Sequence, residues 1–389
     1  MQRNKFILSF LFLATLSMAC GNKGNANKTE ADAAAASASA SATSGSETNA
    51  APTTLPKNFY KHLVGTINGN LNVVMDIAVA DTAVHGSYYY TSKGQNIGLF
   101  GSFKNGKLNI SESSNSVEDM NGKFEGTLSA DGTFKGQWKN DKTKKSFAAE
   151  LKETYEAGSV KAEVSANHVH KEVKVGKFKG EINVGYSAIS VQNAALNTRI
   201  LKALNQGKSY EDILQKSVKD SEADLKEFGK DMQSEEDYGG AGMRESEENV
   251  SIRTNEGNVL ALESSGYEYA GGAHPNSFVA YENFNTATGD TIGLSQIFVP
   301  NFRPKLNAIA EKFLRKQNKI TGSLADAGFE FEKGFQVNNN FSLERGGIRF
   351  LYNQYEIAPY AAGMPEFFIP YSELKGLINT SSPIGAWVK

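Results

Sequence analysis

Between residues 57 and 155, apolar and polar side chains alternate over short segments such as 71–77 and 107–112. Turn-forming pairs, among them Asn105-Gly106 and Asp131-Gly132, stand between the segments. Strand signals that recur about every 10 to 14 residues with such turns are typical of an antiparallel meander. The pattern predicts an antiparallel all-β domain over residues 57–155, either a sandwich or a small barrel.

Two units of this region, 122–126 and 132–136, share the form Gly-x-Phe-x-Gly. In a strand, both glycines and the phenylalanine lie on one face, and glycine leaves room where a neighbour approaches closely. Core packing is therefore one interpretation. The alternative is a cavity for a lipid or a sugar, lined by Tyr88, Tyr90, Phe134 and Trp138.

The second half of the chain changes its period. Residues 156–170 have the pattern of a linker that turns into a strand, and strand alternation follows over 173–184. Apolar residues then recur every three or four positions from 194 to 228, which predicts one or two amphipathic helices broken near 205–207.

Strand patterns return after Gly240 and alternate with further helical segments. One helix is predicted over 303–317 and a last one over 372–378, with strand-rich segments between them. Residues 171–380 are therefore predicted to form an α+β domain, and residues 381–389 a short tail. The fold class expected for the whole chain is mixed.

The N-terminus has two positive charges, an apolar run over 6–18 and small residues before Cys20. This is the pattern of a secretory signal peptide, too short to be a permanent membrane span. The stretch Leu16-Ser17-Met18-Ala19-Cys20 resembles a bacterial lipobox, although Ser17 stands where that motif usually has leucine. The resemblance implies that residues 1–19 are removed and that Cys20 is lipidated. The alternative is an ordinary signal peptide with an incidental cysteine.

Residues 20–56 are rich in alanine and serine and contain almost no large apolar side chain. Such a segment cannot bury enough surface to offset its ordering entropy, so we expect a flexible tether between a membrane and the folded part.

Composition excludes several functions. The formal net charge is −2, so we expect no nucleic-acid partner. Five histidines and one cysteine provide little material for a metal cluster or a disulfide framework. The chain has no phosphate-binding loop, dinucleotide fingerprint or nucleophile elbow. We therefore expect no cofactor, no metal and no enzymatic activity.

Three segments of the C-terminal half, 269–276, 352–363 and 368–374, carry a resemblance to a known family. Their order and spacing resemble the extracytoplasmic domain of unknown function that is shared, with a companion domain, by the anti-sigma factor RsiV and the peptidoglycan deacetylase PdaC. The resemblance covers about residues 170–380. It implies a binding or sensing module of the cell envelope, without the catalytic domain of the deacetylase.

The strongest candidate site lies within these segments. Two consecutive glycines let the backbone approach a ligand or adopt positive φ, and the following histidine could act as an acid, a base or a ligand. The alternative is a tight turn in which the histidine bonds a carbonyl group. The candidate ligand-binding residues are Tyr269, Gly271, Gly272, His274, Tyr355, Glu356 and Tyr360, with Tyr267 a possible neighbour in the same cleft.

A second pair, His168 and His170, would lie on one strand face, as metal ligands sometimes do. Two imidazoles without an obvious third ligand are a weak metal site, so the alternative is a linker without a metal.

The leading hypothesis is a lipid-anchored envelope protein, on the outer membrane and facing the periplasm or the surface. Its non-catalytic binding or sensing module would recognise peptidoglycan, a lysozyme-like protein or another envelope component. One alternative is a cell-wall glycan hydrolase or deacetylase-like enzyme that uses His274 with a carboxylate such as Glu356. The other is a purely structural lipoprotein.

Overall fold

The computed structural model describes residues 54–113, 121–232 and 239–388. The predicted signal peptide, Cys20 and nearly all of the tether lie outside the described residues. Among the helices of the described ranges, none is long and apolar enough to cross a membrane.

The first eight strands form a closed antiparallel barrel, because the first strand pairs with both the second and the eighth. This is the small barrel that the sequence pattern offered as one alternative. The strands are β1 (Phe59–Ile67), β2 (Leu71–Ala80), β3 (Ala83–Tyr90), β4 (Ile97–Lys104), β5 (Lys107–Ser113), β6 (Gly122–Leu128), β7 (Thr133–Asn140) and β8 (Lys145–Glu153).

Side chains fill the interior of the barrel. Tyr88, Phe124 and Phe134 are almost completely buried in its core. Gly126 and Gly136 lie directly opposite each other on β6 and β7, and a Cβ atom on either would overlap the other strand's backbone. The Gly-x-Phe-x-Gly units therefore serve core packing and close strand approach, as one of the two interpretations predicted.

A five-stranded sheet follows, in the order β13-β12-β11-β10-β9. Only β10 and β11 run parallel, and two helices make the crossover between them and cover one face of the sheet. The elements are β9 (Ala162–Val175), β10 (Phe178–Val191), α1 (Ala194–Asn205), α2 (Tyr210–Asp231), β11 (Met243–Glu256), β12 (Val259–Tyr269) and β13 (Asn276–Asn285).

A smaller antiparallel sheet, β14-β15-β16, packs against the longer of two further helices and completes the α+β part. The elements are α3 (Leu294–Ile297), α4 (Arg303–Gln317), β14 (Phe341–Glu344), β15 (Gly347–Leu351) and β16 (Glu366–Pro370), with 3-10 helices at Gly239–Gly242, Tyr360–Ala362, Tyr371–Leu374 and Gly385–Trp387.

Two of the predicted elements differ from the structure. The strand β9 begins at Ala162, so most of the segment predicted as a linker is already strand. Its polar and charged sequence carries no clear apolar alternation because it is an edge strand, in which half of the residues are exposed. The helix predicted over 372–378 is only a 3-10 turn, Tyr371–Leu374.

The barrel packs directly against the rest of the described chain. Tyr60 and Ala78 of the barrel share a core with Ile189 and Leu260 of the five-stranded sheet. The two parts also meet backbone to backbone at Gly94 and Gly346, where the amide of Gly346 donates to the carbonyl of Gly94 at 2.8 Å. A Cβ atom on either glycine would overlap the opposite backbone.

Candidate functional site

Three of the predicted site residues come together at one end of the five-stranded sheet. The imidazole of His274 stacks on the ring of Tyr360, with centroids 4.1 Å apart. The Tyr355 ring lies 5.8 Å from that of Tyr360, and its hydroxyl is 3.4 Å from Nε2 of His274. We call His274, Tyr355 and Tyr360 the aromatic cluster.

The residues 353–354 hold the aromatic cluster against the edge strand β13. The amide of Val279 donates to Oδ1 of Asn353 at 2.7 Å, and the Asn353 side chain donates back to the carbonyl of Val279 at 3.1 Å. The amide of Ser277 donates to Oε1 of Gln354 at 3.1 Å, immediately before Tyr355. Side-chain amides thus form hydrogen bonds with backbone groups of β13 to which a further strand could otherwise pair.

Tyr355 has an unusual conformation. Its φ of 64° lies in the left-handed region, and 61% of the side chain is exposed. A bulky residue with positive φ is uncommon and persists only where its surroundings impose it. The three hydrogen bonds of Asn353 and Gln354 to β13 provide that constraint.

His274 also fits the interpretation as a turn residue, because its Nδ1 lies 2.9 Å from the carbonyl oxygen of Pro275. That segment is held from the other side as well, since the Tyr360 hydroxyl donates to the same carbonyl at 3.0 Å. These hydrogen bonds fix the orientation of the His274 and Tyr360 rings. The segment is therefore both a turn and part of a fixed aromatic surface.

The other predicted residues have local roles. The oxygens of Glu356 accept from the Asn353 amide and the Asn338 side chain, each at 2.9 Å, and so close their own loop. Gly271 has a φ of +79°, and the ring of Tyr269 covers Gly240. At Gly272 an added Cβ would meet nothing within 4 Å.

The histidine pair lies on β9, as strand residues rather than linker residues. His170 bonds Oδ1 of Asn183 through Nδ1 at 2.8 Å. Burial and the nearby His170 lower the pKa of His168. Within the described ranges there is no group of three or more histidine, cysteine or acidic residues that could hold a metal ion.

A larger feature, which the sequence reasoning missed, is an open groove of about 610 Å³. We call it the three-way groove, because β3 and β4 of the barrel, β11–β13 of the five-stranded sheet and β15–β16 of the small sheet all contribute to its walls. Its lining combines polar and apolar surface in about equal parts, and it ends at Tyr267 and Ser277, directly beside the aromatic cluster.

Charged groups in the wall of the groove neutralise each other. Arg349 contacts Glu344 at 2.6 Å and Glu366 at 3.2 Å, while Arg253 lies 3.6 Å from Glu263 and 3.7 Å from Glu344. Burial alone would lower the pKa of Arg253, but the two carboxylates raise it above its usual range. The wall therefore presents a balanced network and no strong field of one sign.

Aromatic side chains lie among these charged and polar groups. Phe100 projects from the barrel with 43% of its side chain exposed. Tyr281 forms part of the floor, and Tyr267 lies at the end nearest the aromatic cluster. Burial first, and then the nearby Glu245, Tyr269 and Tyr360, raise the pKa of the Tyr267 hydroxyl.

One signal in the sequence could have indicated the groove. On β11 the positions facing away from the helices are polar, Glu247, Asn249, Ser251 and Arg253, where a sheet covered on both sides would have apolar residues. The barrel and β15–β16 walls have no such signal, because nothing in the sequence indicates which distant strands will face them.

Two family models match the C-terminal half. Residues 295–372 match a protein family of unknown function, DUF3298, and residues 179–277 match the family described as deacetylase PdaC. These matches confirm the resemblance expected from the motifs. They indicate an envelope-associated protein whose function is unknown.

Solved structures of DUF3298 proteins are similar to this chain. A member from Bacteroides fragilis has 22% identity and a TM-score of 0.51, covering 60% of this chain and 99% of its own; the likeness shows a shared fold. A family protein from Pseudomonas aeruginosa has 20% identity and a TM-score of 0.40, covering 57% of this chain and 94% of its own. No curated protein matches the sequence significantly.

Proposed function

We propose that this chain is a non-catalytic receptor of the cell envelope that binds the glycan of peptidoglycan in the three-way groove. The observation that carries the proposal is the groove itself, an open space of about 610 Å³ with a mixed polar and apolar lining and an exposed Phe100. Ligand sites commonly have volumes of about 300–1,000 Å³.

The chemistry of the lining favours this ligand. Peptidoglycan glycan is rich in hydroxyl and amide groups, which need hydrogen-bond partners, and its sugar rings have apolar faces that can stack on aromatic side chains. The balanced pairs of Arg253 and Arg349 can donate hydrogen bonds without attracting a highly charged polymer. The match to the deacetylase family is consistent with an envelope setting.

Phe100 provides the first test. The full chain, purified in detergent, is expected to bind purified peptidoglycan sacculi in a sedimentation assay. Phe100→Ala is expected to weaken that binding about five- to tenfold, because it removes the exposed ring from the groove. Leu71→Ala is the matched control, since Leu71 is also an exposed barrel residue (42%) but does not line the groove.

The same preparation distinguishes the other hypotheses. Absence of binding to sacculi with capture of lysozyme would replace the glycan with a protein partner. Release of soluble sugars or of acetate that is lost in His274→Ala would show an enzyme instead. If neither ligand binds, the receptor proposal is wrong and the structural lipoprotein remains.

The proposed location rests on the lipidation of Cys20. One acyl chain binds a bilayer only marginally, and stable anchoring needs at least two, as a diacylated cysteine supplies. We expect Cys20→Ala to move the protein from the membrane fraction to the soluble fraction or to leave the leader uncleaved. A variant that still sediments with membranes after normal cleavage would contradict the anchor.

A further inference from the structure

Exposed aromatic side chains mark two places on the same surface. Among the large hydrophobic side chains of the described residues, Leu71, Phe100 and Tyr355 are the strongly exposed ones. Phe100 lies in the three-way groove, and Tyr355 lies in the aromatic cluster beyond its end. Exposed rings are costly in water and are common at binding sites, which makes this arrangement informative.

The strands connect the two places. Glu263 pairs with Tyr281 inside the groove, and Tyr267 pairs with Ser277 four residues further along the same two strands. At about 3.3 Å per residue, this part of the floor is about 13 Å long. The Ser277 amide then bonds Gln354, the neighbour of Tyr355, so the aromatic cluster begins where the groove ends.

Tyr355 is held ready for a ligand by its backbone. The left-handed φ of 64° costs conformational energy that a glycine in its place would avoid. The ring is nevertheless presented to solvent, with its hydroxyl beside His274 and its neighbour Tyr360 fixed to Pro275. A ring that is already oriented loses little entropy when a ligand stacks on it.

We propose that the aromatic cluster is a second sugar subsite, at which Tyr355 stacks on a ring of a glycan that also occupies the three-way groove. This inference rests on the proposed function and deepens it, because it makes the ligand an extended glycan chain. A disaccharide fills the groove alone, whereas a longer oligomer reaches Tyr355 as well.

Binding of oligomers of different length tests the second subsite. β-1,4-linked N-acetylglucosamine oligomers, from the dimer to the hexamer, are titrated into the full chain in detergent by calorimetry. Affinity is expected to rise with length. Tyr355→Ala is expected to weaken hexamer binding about tenfold and to leave dimer binding unchanged. Tyr355→Phe retains the ring and is expected to bind like the wild type.

Two further variants separate a stacking role from a structural one. Tyr355→Gly removes the ring and also relieves the left-handed strain, so it should lose hexamer affinity without losing thermal stability. Phe100→Ala should weaken dimer and hexamer alike, because both occupy the groove.

The possible failures are distinct. Equal affinity for all lengths, or a Tyr355→Ala effect of the same size on the dimer, would overturn the second subsite and leave the groove in place. Absence of any oligomer binding together with absence of sacculus binding would overturn both proposals.

Discussion

His62 and Asp76 lie side by side between the barrel and the five-stranded sheet. Nδ1 of His62 is 2.7 Å from Oδ1 of Asp76, which also accepts the hydroxyl of Tyr60. That hydroxyl in turn accepts from the Asn255 side chain at 3.0 Å. These side chains are almost completely buried, so each depends on the others for its hydrogen bonds.

The pKa of His62 determines how this network responds to pH. Burial by itself would lower the pKa, but the Asp76 carboxylate and its hydrogen bond, with Glu256 and Glu156 further away, raise it above the ordinary value. A histidine with a raised folded pKa stabilises most below its unfolded pKa of about 6.5, and loses this contribution as pH rises through the folded pKa.

We therefore expect His62→Gln to lower the free energy of unfolding by about 2–4 kcal/mol near pH 6, because it removes the partner of a buried carboxylate. The loss should be smaller near pH 9 than near pH 6, because the wild-type contribution falls as pH rises through the raised folded pKa. Urea denaturation at the two pH values measures both quantities.

His85 offers a control of opposite sign. Burial lowers its pKa, so in the wild type it opposes folding as pH falls below about 6.5. His85→Gln should therefore be relatively more favourable in acid. The same pH profile for both variants would contradict the assignment of the effect to the His62–Asp76 contact.

The edge strand β13 shows how an element can be completed without a neighbouring strand. Asn353, Gln354 and Asn340 supply side-chain amides to its backbone, where Asn340 accepts from Tyr281 and donates to Val279, both at 2.8 Å. This edge is therefore closed to pairing with another chain. The same hydrogen bonds fix the loop that carries Tyr355 against β13.

Elements with a clear internal period could be predicted from the sequence. The apolar spacing over 303–317 indicated a helix, and the structure has α4 over the same residues. At the start of α2, the Ser209 side chain accepts the Asp212 amide. These signals are local, because capping and amphipathic spacing depend only on neighbours within a turn or two.

Features formed by distant segments leave no local period in the sequence, so only those marked by motifs could be predicted. His274, Tyr355 and Tyr360 were expected in one cleft on the strength of their motifs, and they do meet. The three-way groove was missed because its walls come from strands more than 200 residues apart. The side chains that bond the edge of β13, Asn340, Asn353 and Gln354, follow no period in the sequence, because single residues take the place of a strand.

At the scale of the whole molecule, the contact between Gly94 and Gly346 sets how closely the barrel approaches the small sheet. The Gly346 amide bonds the Gly94 carbonyl, and next to this contact the amide of Asn96 donates to the buried Glu344 at 2.7 Å. Arg349 bonds the same carboxylate at 2.6 Å. Glu344 is buried in the α+β part, and the barrel supplies one of the hydrogen bonds to its carboxylate.

Gly346→Ala tests this contact without changing any charge. The added Cβ would overlap the carbonyl of Lys93, so the two surfaces must separate. We expect a loss of about 2–4 kcal/mol in the free energy of unfolding and weaker sacculus binding, since the groove wall moves. Differential scanning calorimetry should show the barrel unfolding earlier than the rest.

Gly322→Ala is the matched control for that variant, because an added Cβ there meets only Oδ2 of Asp326, at 3.9 Å, and Gly322 does not line the groove. It should leave both the unfolding profile and sacculus binding unchanged. Equal effects of the two substitutions would show that the close approach at Gly346 is not what holds the barrel in place.

The pairing of β1 with β8 has an evolutionary consequence. Leu63 lies opposite Glu153, so the chain enters and leaves the barrel at the same end. A unit with adjacent ends can be gained or lost by recombination as a single cassette. Loss of the barrel would remove Tyr60, the partner of Asn255, and Asn96, the partner of Glu344. Descendants without the barrel would therefore need compensating substitutions at positions 255 and 344.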